Sequence, residues 1–373
     1  MTSKINIFKK FSGKVLLILS LFIAFSTNLS ANEEPVVATE ELAEAGHPAV
    51  ATEKKIDITA IAFEHILDAH SWHLWGEGHD ALAIPLPIII YSNTKGLQFF
   101  MSSRFEHGHA EFDGYSLADE AIVSSDPAEK VYDFSITKNV AQMFISVIVL
   151  LVLFTSIAKT YKTQGVTTAP KGKQSFFEPL VVFVRDDLAK TNIGATSDKY
   201  VPYLLTVFFL ILINNVFGLI PIGANLTGNI AFTFVLSVCT FILTNMNGNK
   251  HYWGHIFLPH APKALWIILI PIELLGIFIK PFALMIRLFA NMTAGHIIII
   301  SLIGLIFYFE SLAIAPISVA FALFIDILEV LVAFLQAYIF TMLTALFIGS
   351  AVADTNEDGA HTSDDSAVAS NGH

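Results

Sequence analysis

Apolar residues in this chain are gathered into long blocks separated by short polar stretches. Val140 to Ala158 forms one block and is followed by Lys159, Lys162, Lys171 and Lys173. About 20 predominantly apolar residues cross a hydrocarbon core about 30 Å thick, and basic residues collect at the cytoplasmic end of such spans. Pro202 to Ile220 reads as a second span, running outward to an uncharged turn at Pro221 to Asn229. Ala231 to Thr244, with its flanks, returns inward to Lys250 and Lys263, and Leu265 to Ile348 holds two further helices parted near Glu310 to Pro316. Between the first two spans, Phe177, Leu180, Val181, Val184 and Leu188 recur at helical spacing with Arg185, Asp186 and Asp187 on the polar side. That is the pattern of an amphipathic helix lying on the membrane surface. The expected fold class is therefore an all-α polytopic membrane protein. It has five membrane helices plus an amphipathic surface helix, with the N-terminus outside and the C-terminus inside.

The last two helices are expected to be long and tilted. A continuous helix from Leu265 to Phe309 would run about 68 Å, more than twice the hydrocarbon thickness. Pro271 and Pro281 offer places for a break, and strong tilt would take up the remaining length.

The chain ahead of the spans differs in character. Lys4, Lys9, Lys10 and Lys14 precede a short apolar core, Val15 to Phe25, and Ser30-Ala31 then offers a cleavage point. Residues 1–31 thus read as a secretory signal, with an uncleaved anchor as the alternative because Leu29 is atypical at the minus-three position. Residues 32–135 form an acidic, His-rich extracytoplasmic segment. Within it, Ile84 to Tyr91 suggests a short strand after its prolines, and Phe63 to Trp75 a short helix. His65, His70, His73, His79, His107 and His109 match no metal-site spacing and have no cysteine partner, so surface histidines are the expectation. Residues 136–350 make the membrane domain and 351–373 an acidic cytoplasmic tail.

Composition supports a membrane protein. The hydrophobic fraction is 54%, charged residues make up only 14%, and mean hydropathy is +0.64. A soluble domain carries roughly 25% charged residues. The net charge of -11 comes largely from the two ends, so it says little about nucleic acid, and no nucleic-acid partner is expected. Cys239, the single cysteine, lies in an apolar run and reads as a buried, inert thiol.

Against that background Arg287 stands out. A guanidinium near the centre of a bilayer costs roughly 2.5 to 3.5 kcal/mol on insertion scales and cannot discharge itself. Apolar residues run well beyond it on both sides, which argues against simple snorkelling to a headgroup. At about 100° per residue, Asn291 and Lys280 share its face, and Glu273 returns to that face if Pro281 leaves the register intact. His296 points about 180° away. On the following helix, Asp326, Glu329 and Gln336 fall along one stripe. Ionisable groups inside a span pair with one another or line a water-filled path. Glu329 and His296 are suited to passing protons, since burial raises a carboxylate pKa and imidazole titrates near neutrality.

The string Arg287-Leu-Phe-Ala-Asn-Met-Thr-Ala-Gly-His296, preceded by Lys280-Pro281 and followed by Leu335-Gln336-Ala-Tyr-Ile-Phe340, resembles subunit a of the F-type ATP synthase. Phe176-Phe-Glu-Pro179, Val182-Phe-Val-Arg-Asp186 and Asn215-Val-Phe-Gly-Leu-Ile-Pro221 extend the similarity over about residues 135 to 350. Many bacterial members of that family carry Glu where this chain has His296 and His where it has Glu329, so the pair looks exchanged between helices. The resemblance implies a non-catalytic stator subunit in the bacterial inner membrane that carries protons through two half-channels. Its implied partners are the c-subunit ring, the b-subunit peripheral stalk and other ATP synthase subunits, with no cofactor. It further implies proton translocation by Arg287, His296, Glu329, Gln336, Asn291 and Glu273. Asp326 is additional to the family's pattern and joins the candidate proton-translocation residues through its place on the stripe with Glu329.

A secondary ion transporter, the alternative, should show related halves with matching broken helices, and no internal repeat is visible. No H-E-x-x-H zinc motif, nucleophile motif or phosphate-binding loop occurs either, which disfavours hydrolytic and nucleotide chemistry on this chain.

If the signal is processed, N-terminal sequencing of the purified subunit will start near Asn32; recovery of Met1 would reject cleavage.

Overall fold

The computed structural model describes residues 68–353, apart from 76–81, 109, 119–120, 127–128, 165–168, 170–171, 221–222, 259–261, 263–264 and 310–313. The expected signal, residues 1–31, and residues 354–373 of the expected acidic tail lie outside the described residues, as do Lys263, Glu310, His65, His79 and His109, and residues 351–352 continue the last helix.

The described part of the segment ahead of the membrane helices is built of strands, more of them than the single strand expected there, so the all-α class holds for the membrane domain and not for the whole chain. Strand β1 (Ser71–Trp75) pairs antiparallel with β2 (Leu82–Pro85). A three-stranded sheet has the order β4–β3–β7, from Gly96–Met101, Pro87–Ser92 and Val131–Asp133. A hairpin joins β5 (Tyr115–Ala118) to β6 (Ala121–Ser124). The strand expected after the prolines is β3. The helix expected from Phe63 to Trp75 is instead extended over Ser71–Trp75, since two β-favouring tryptophans there meet a partner strand. The earlier part of that expectation, residues 63–67, lies outside the described residues.

Alternation along β3 turns Ile88 and Ile90 inward onto Phe105 and Tyr115, a small core sealed from solvent. Glu129 ties this core to its loops. It accepts hydrogen bonds from Ser124 Oγ (2.6 Å), Tyr115 OH (2.9 Å), Ser92 and Thr94.

His70 is buried rather than a surface histidine, and its Nε2 lies 2.8 Å from Asp133 Oδ2 at the end of β7. Burial alone would raise the Asp133 pKa, but the hydrogen bond and charge of His70 hold it below the usual value. Nearby Asp68 accepts from Asn139 N (3.0 Å) and Thr137 Oγ1 (2.7 Å), so it caps the first membrane helix from 71 residues away. These contacts lash the strand-built segment to the start of that helix.

Helix α1 (Lys138–Gln164) buries Val147, Leu150, Phe154 and Ile157 on one stripe and leaves Ile145, Ile148 and Val152 on the other. Helix α2 (Lys173–Val182) widens into a π-helical stretch at Phe183–Lys190. This is the amphipathic segment expected from sequence, with Val184, Leu188 and Ala189 buried. On its polar side, Arg185 (2.6 Å) and Lys190 (2.5 Å) clamp Asp186 and depress its pKa. Helix α3 (Val201–Gly218) is the hub, apolar and buried nearly all round.

Helix α4 (Ile230–Met246) is capped by Asn229 and followed after a 99° bend by α5 (Lys250–Phe257). Buried Cys239 lies in α4. Helix α6 (Trp266–Phe309) continues unbroken through Pro271 and Pro281 for about 66 Å, and α7 (Ala315–Val352) follows it. Among the described residues, four helices (α1, α3, α6 and α7) are long and apolar enough to cross a membrane, and the bent α4–α5 pair makes up to five. The chain is a multi-pass membrane protein.

Two features position α6 and α7. Gly349 of α7 passes against the backbone of Asn192, where any Cβ would collide with the carbonyl. Asn249 then donates through Nδ2 to Val352 O (2.9 Å), pinning the end of α7. Only 11% of the most apolar stretch of α6 and 17% of that of α7 is buried, so these helices present their apolar flanks outward.

The donors around Glu129 depress its pKa from 4.5 to about 2, chiefly through Ser124. A depressed carboxylate stabilises the fold fully above its unfolded pKa, and that stability is lost as pH falls through the folded value. Amide-exchange protection factors of the strand-built segment, corrected for the intrinsic pH dependence of exchange, should therefore fall between pH 4.5 and about 2. Glu129→Gln should flatten this dependence, and an unchanged profile would discount the cluster.

Candidate functional site

Helices α6 and α7 run antiparallel, which brings residues far apart in sequence to the same level. The pairs His296–Glu329 and Arg287–Gln336 fix the register. Along α6, Arg287 lies about 14 Å from the level of His296 and about 21 Å from that of Glu273. Three groups of polar residues are thus strung along one helix, with Arg287 in the middle.

On one side, His296 Nδ1 lies 3.2 Å from Glu329 Oε1. Glu329 is buried, and its Oε2 has no hydrogen-bond partner among the described residues. A carboxylate in such surroundings is costly unless a hydrogen bond or proton meets it. Gly295 makes room for the pair: a Cβ there would sit 2.6 Å from Glu329 Oε1. Thr293, in the same turn, donates to Gly228 O at 3.4 Å and so touches the loop between α3 and α4.

Arg287 is exposed, as is Asn291 one turn on. Neither has an ion pair among the described residues. Gln336 is buried and donates through Nε2 to the backbone oxygen of Arg287 at 3.3 Å. It therefore holds the helix bearing the guanidinium rather than the guanidinium itself. Arg287 keeps an open face, while His296 turns inward to α7; the opposite facing agrees with the helical spacing, and the packing of α7 decides which side is inward.

On the other side, Glu273 and Lys280 line a cavity of about 350 Å³ with His251, His255, Tyr252 and Ser350. Glu273 Oε1 lies 4.0 Å from His255 Nδ1, and Lys280 Nζ is 5.4 Å from the Phe347 ring centre. The structure does not bring Glu273 to the His296–Glu329 pair. Asp326 is exposed, one turn from Glu329, and does not join the buried stripe of Glu329 and Gln336. The 60° offset of three residues on a helix is enough to turn it outward.

The sequence reading missed a second set of polar residues. Asn139, Gln142 and Ser146 occupy one buried face of α1, and Ser146 Oγ donates to Asn214 Oδ1 at 2.6 Å. The adjacent Asn215 donates through Nδ2 to Ala333 O at 3.0 Å, one turn from Glu329. A polar trail thus leads from the start of α1 toward the buried acid. The signal was present as polar residues three and four apart inside an apolar span.

An apolar helical bundle with ionisable groups strung along its two longest helices defines a membrane protein that handles charge within the bilayer. The profile of the ATP synthase A chain family matches residues 140–349, and the chain belongs to that family. It is 50% identical over 235 residues to ATP synthase subunit a of Chloroherpeton thalassium, covering 62% of this chain and 71% of the relative. Identity is 47% over 259 residues with ATP synthase subunit a 2 of Prosthecochloris aestuarii, covering 66% and 80%. With ATP synthase subunit a of Anaeromyxobacter sp. it is 45% over 261 residues, covering 68% and 63%. Residues 61–143, which include the strands and the first turn of α1, match a domain of unknown function, DUF8433.

Gly295→Ala should push the Glu329 carboxylate from His296. The test is the ring-nitrogen chemical shifts of His296 in labelled protein: a shift to values of an unpaired imidazole is expected. Unchanged shifts would show that α7 yields instead.

Proposed function

We propose that this chain is the stationary, non-catalytic subunit of an F-type ATP synthase that carries protons past a rotating ring of c subunits. The observation carrying this reading is Arg287, a permanent charge on the open face of α6, flanked by the His296–Glu329 pair and the Glu273–His255 cavity. Two polar regions on opposite sides of one fixed cation are what two separated half-channels require.

In this reading the start of α1 faces the outside, as the signal-like N-terminus suggests, and the C-terminal end of α7 faces the cytoplasm. His296, Glu329 and the trail through Ser146, Asn214 and Asn215 then form the outer path. Asp326, one turn farther out, extends it. Glu273, Lys280 and the cavity around them form the inner path. Residues 32–135 and the acidic tail 351–373 flank the membrane domain on opposite sides of the bacterial inner membrane. Besides the ring, the b-subunit peripheral stalk and the other synthase subunits are the partners.

The chemistry follows from charge in a low dielectric. A ring carboxyl must be protonated to face lipid, because a carboxylate is costly there. Beside Arg287 the ionised form is favoured, since an opposite charge within about 4 to 6 Å lowers a carboxylate pKa by about 1 to 3 units. The arriving carboxyl gives up its proton to the exit path and, after turning past Arg287, takes another from the supply path. Asn291, on the same face, helps orient the carboxyl, and Gln336 holds the Arg287 backbone in place. Each proton crossing about 100 mV delivers about 2.3 kcal/mol, so several must pass per ATP. The imidazole–carboxylate pair favours the proton over sodium as the coupling ion, because both groups titrate and neither needs a coordination shell.

Arg287→Ala should abolish ion-driven ATP synthesis while the complex still assembles; near-normal synthesis in mutant membranes would sink the assignment. Arg287→Lys should also fail, because a lysine inside a bilayer can lose its proton and lacks the guanidinium fork. If His296 and Glu329 act together, Glu329→Gln will slow ATP-driven proton pumping in inverted vesicles. The exchange of His296→Glu with Glu329→His will then pump faster than the product of the two singles predicts. Simple multiplicativity would mean the two groups act independently.

A further inference from the structure

The β4–β3–β7 sheet has a second face that the small core does not use. Cross-strand register places Tyr91 opposite both Leu97 and Tyr132, and Ile89 opposite Phe99. Tyr91, Leu97, Phe99, Met101, Tyr132 and Phe134 are all exposed on this face, Leu97 and Phe99 by 71% and 68%. Among the described strand residues of this face none is charged, and Lys130, just ahead of β7 at the same parity as Tyr132, stands exposed at its edge. An antiparallel sheet facing water alternates apolar and polar residues, whereas the run Pro87-Ile-Ile-Ile-Tyr91 is apolar at both parities, as in strands covered on both faces. A contiguous apolar patch of this kind marks an interface.

We infer that this face rests on the bilayer surface beside α1, in the headgroup and upper acyl region. Its position argues for lipid as the occupant. Four residues separate the end of β7 at Asp133 from Lys138, the first residue of α1. They keep Phe134 within roughly 14 Å of the membrane helix even when fully extended. The link is also lashed down: Phe134 N donates to Ile89 O (2.8 Å), Ile136 N to Pro87 O (3.1 Å) and Lys138 N to Ala69 O (2.8 Å). The sheet therefore cannot swing away from the point where the chain enters the bilayer. The side of α1 bearing Ile145, Ile148 and Val152 is itself open for lipid, beginning two turns past Lys138, where that short link ends. The chemistry also fits, because tyrosine and phenylalanine are the residues that settle at this boundary. The Tyr91 and Tyr132 rings lie side by side, 6.5 Å apart. The inference rests on α1 crossing the bilayer and not on the proton-path reading, so the two fail separately.

The test uses the complete complex in lipid nanodiscs, with Cys239→Ala as background and a single cysteine at Leu97→Cys or Phe99→Cys carrying a bimane fluorophore. Glu111→Cys, at an exposed polar position, serves as the water-facing control, and an unchanged amide-exchange pattern of the segment in each variant checks that it is folded. A nitroxide on the acyl chain near the headgroup should quench bimane at residues 97 and 99 severalfold more than at 111, while aqueous iodide should show the reverse order. Iodide quenching at 97 and 99 equal to that at 111 would place the face in water and overturn the proposal. Shielding from both quenchers would mean that protein covers it, a second copy or another subunit, and would overturn it equally.

Discussion

A guanidinium that cannot lose its proton, carried on the open flank of a 44-residue apolar helix, is the constraint on which the membrane domain depends. Its insertion cost of roughly 2.5 to 3.5 kcal/mol is not offset by any ion pair among the described residues. The surrounding structure instead fixes where the charge stands. Gln336 grips the backbone of Arg287 from α7, and Gly349 lets α7 press against the backbone near Asn192. A charge held this way is available to an arriving carboxyl group, which the proposed function requires.

In the proposed function, the antiparallel register of α6 and α7 turns one fixed charge into a divided path. The slide that sets Gln336 beside Arg287 also sets Glu329 beside His296, and Gly295 leaves room for that acid. A Cβ at residue 295 or a slip of one turn would separate the pair. Near the other end of the same helices, the bend after α4 swings His251 and His255 toward Glu273 and Lys280. The two ionisable clusters sit on opposite sides of Arg287, and the distance between them follows from helical rise alone.

Much of the membrane domain was legible in the sequence because hydrocarbon imposes simple rules. Span length, lysine placement and the 3.6-residue period located α1, α3, α6, α7 and the amphipathic stretch around Val184. That His296 faces away from Arg287 followed from spacing, and which of the two turns inward did not. Tertiary packing was less legible. Glu273 was grouped with Arg287 by angle, yet about 21 Å of helix separates them, and α5 supplies its neighbours. Asp326 shares a stripe with Glu329 on paper and is exposed in the fold. The hairpins that pair Ser71–Trp75 with Leu82–Pro85 and Tyr115–Ala118 with Ala121–Ser124 depend on contacts between neighbouring strands, which the period within one short strand does not reveal. His70 looked like one of several surface histidines because only the fold brings Asp133 to it.

The central claim is that Arg287 keeps two proton paths from joining. Passive proton conduction tests it most directly, in the intact complex reconstituted in liposomes, with the ring stalled by withholding nucleotide and a potassium diffusion potential imposed. With the ring at rest, the wild-type protein should hold the proton gradient, whereas Arg287→Ala should leak protons through the joined paths. An assembled Arg287→Ala complex as tight as the wild type would contradict the account.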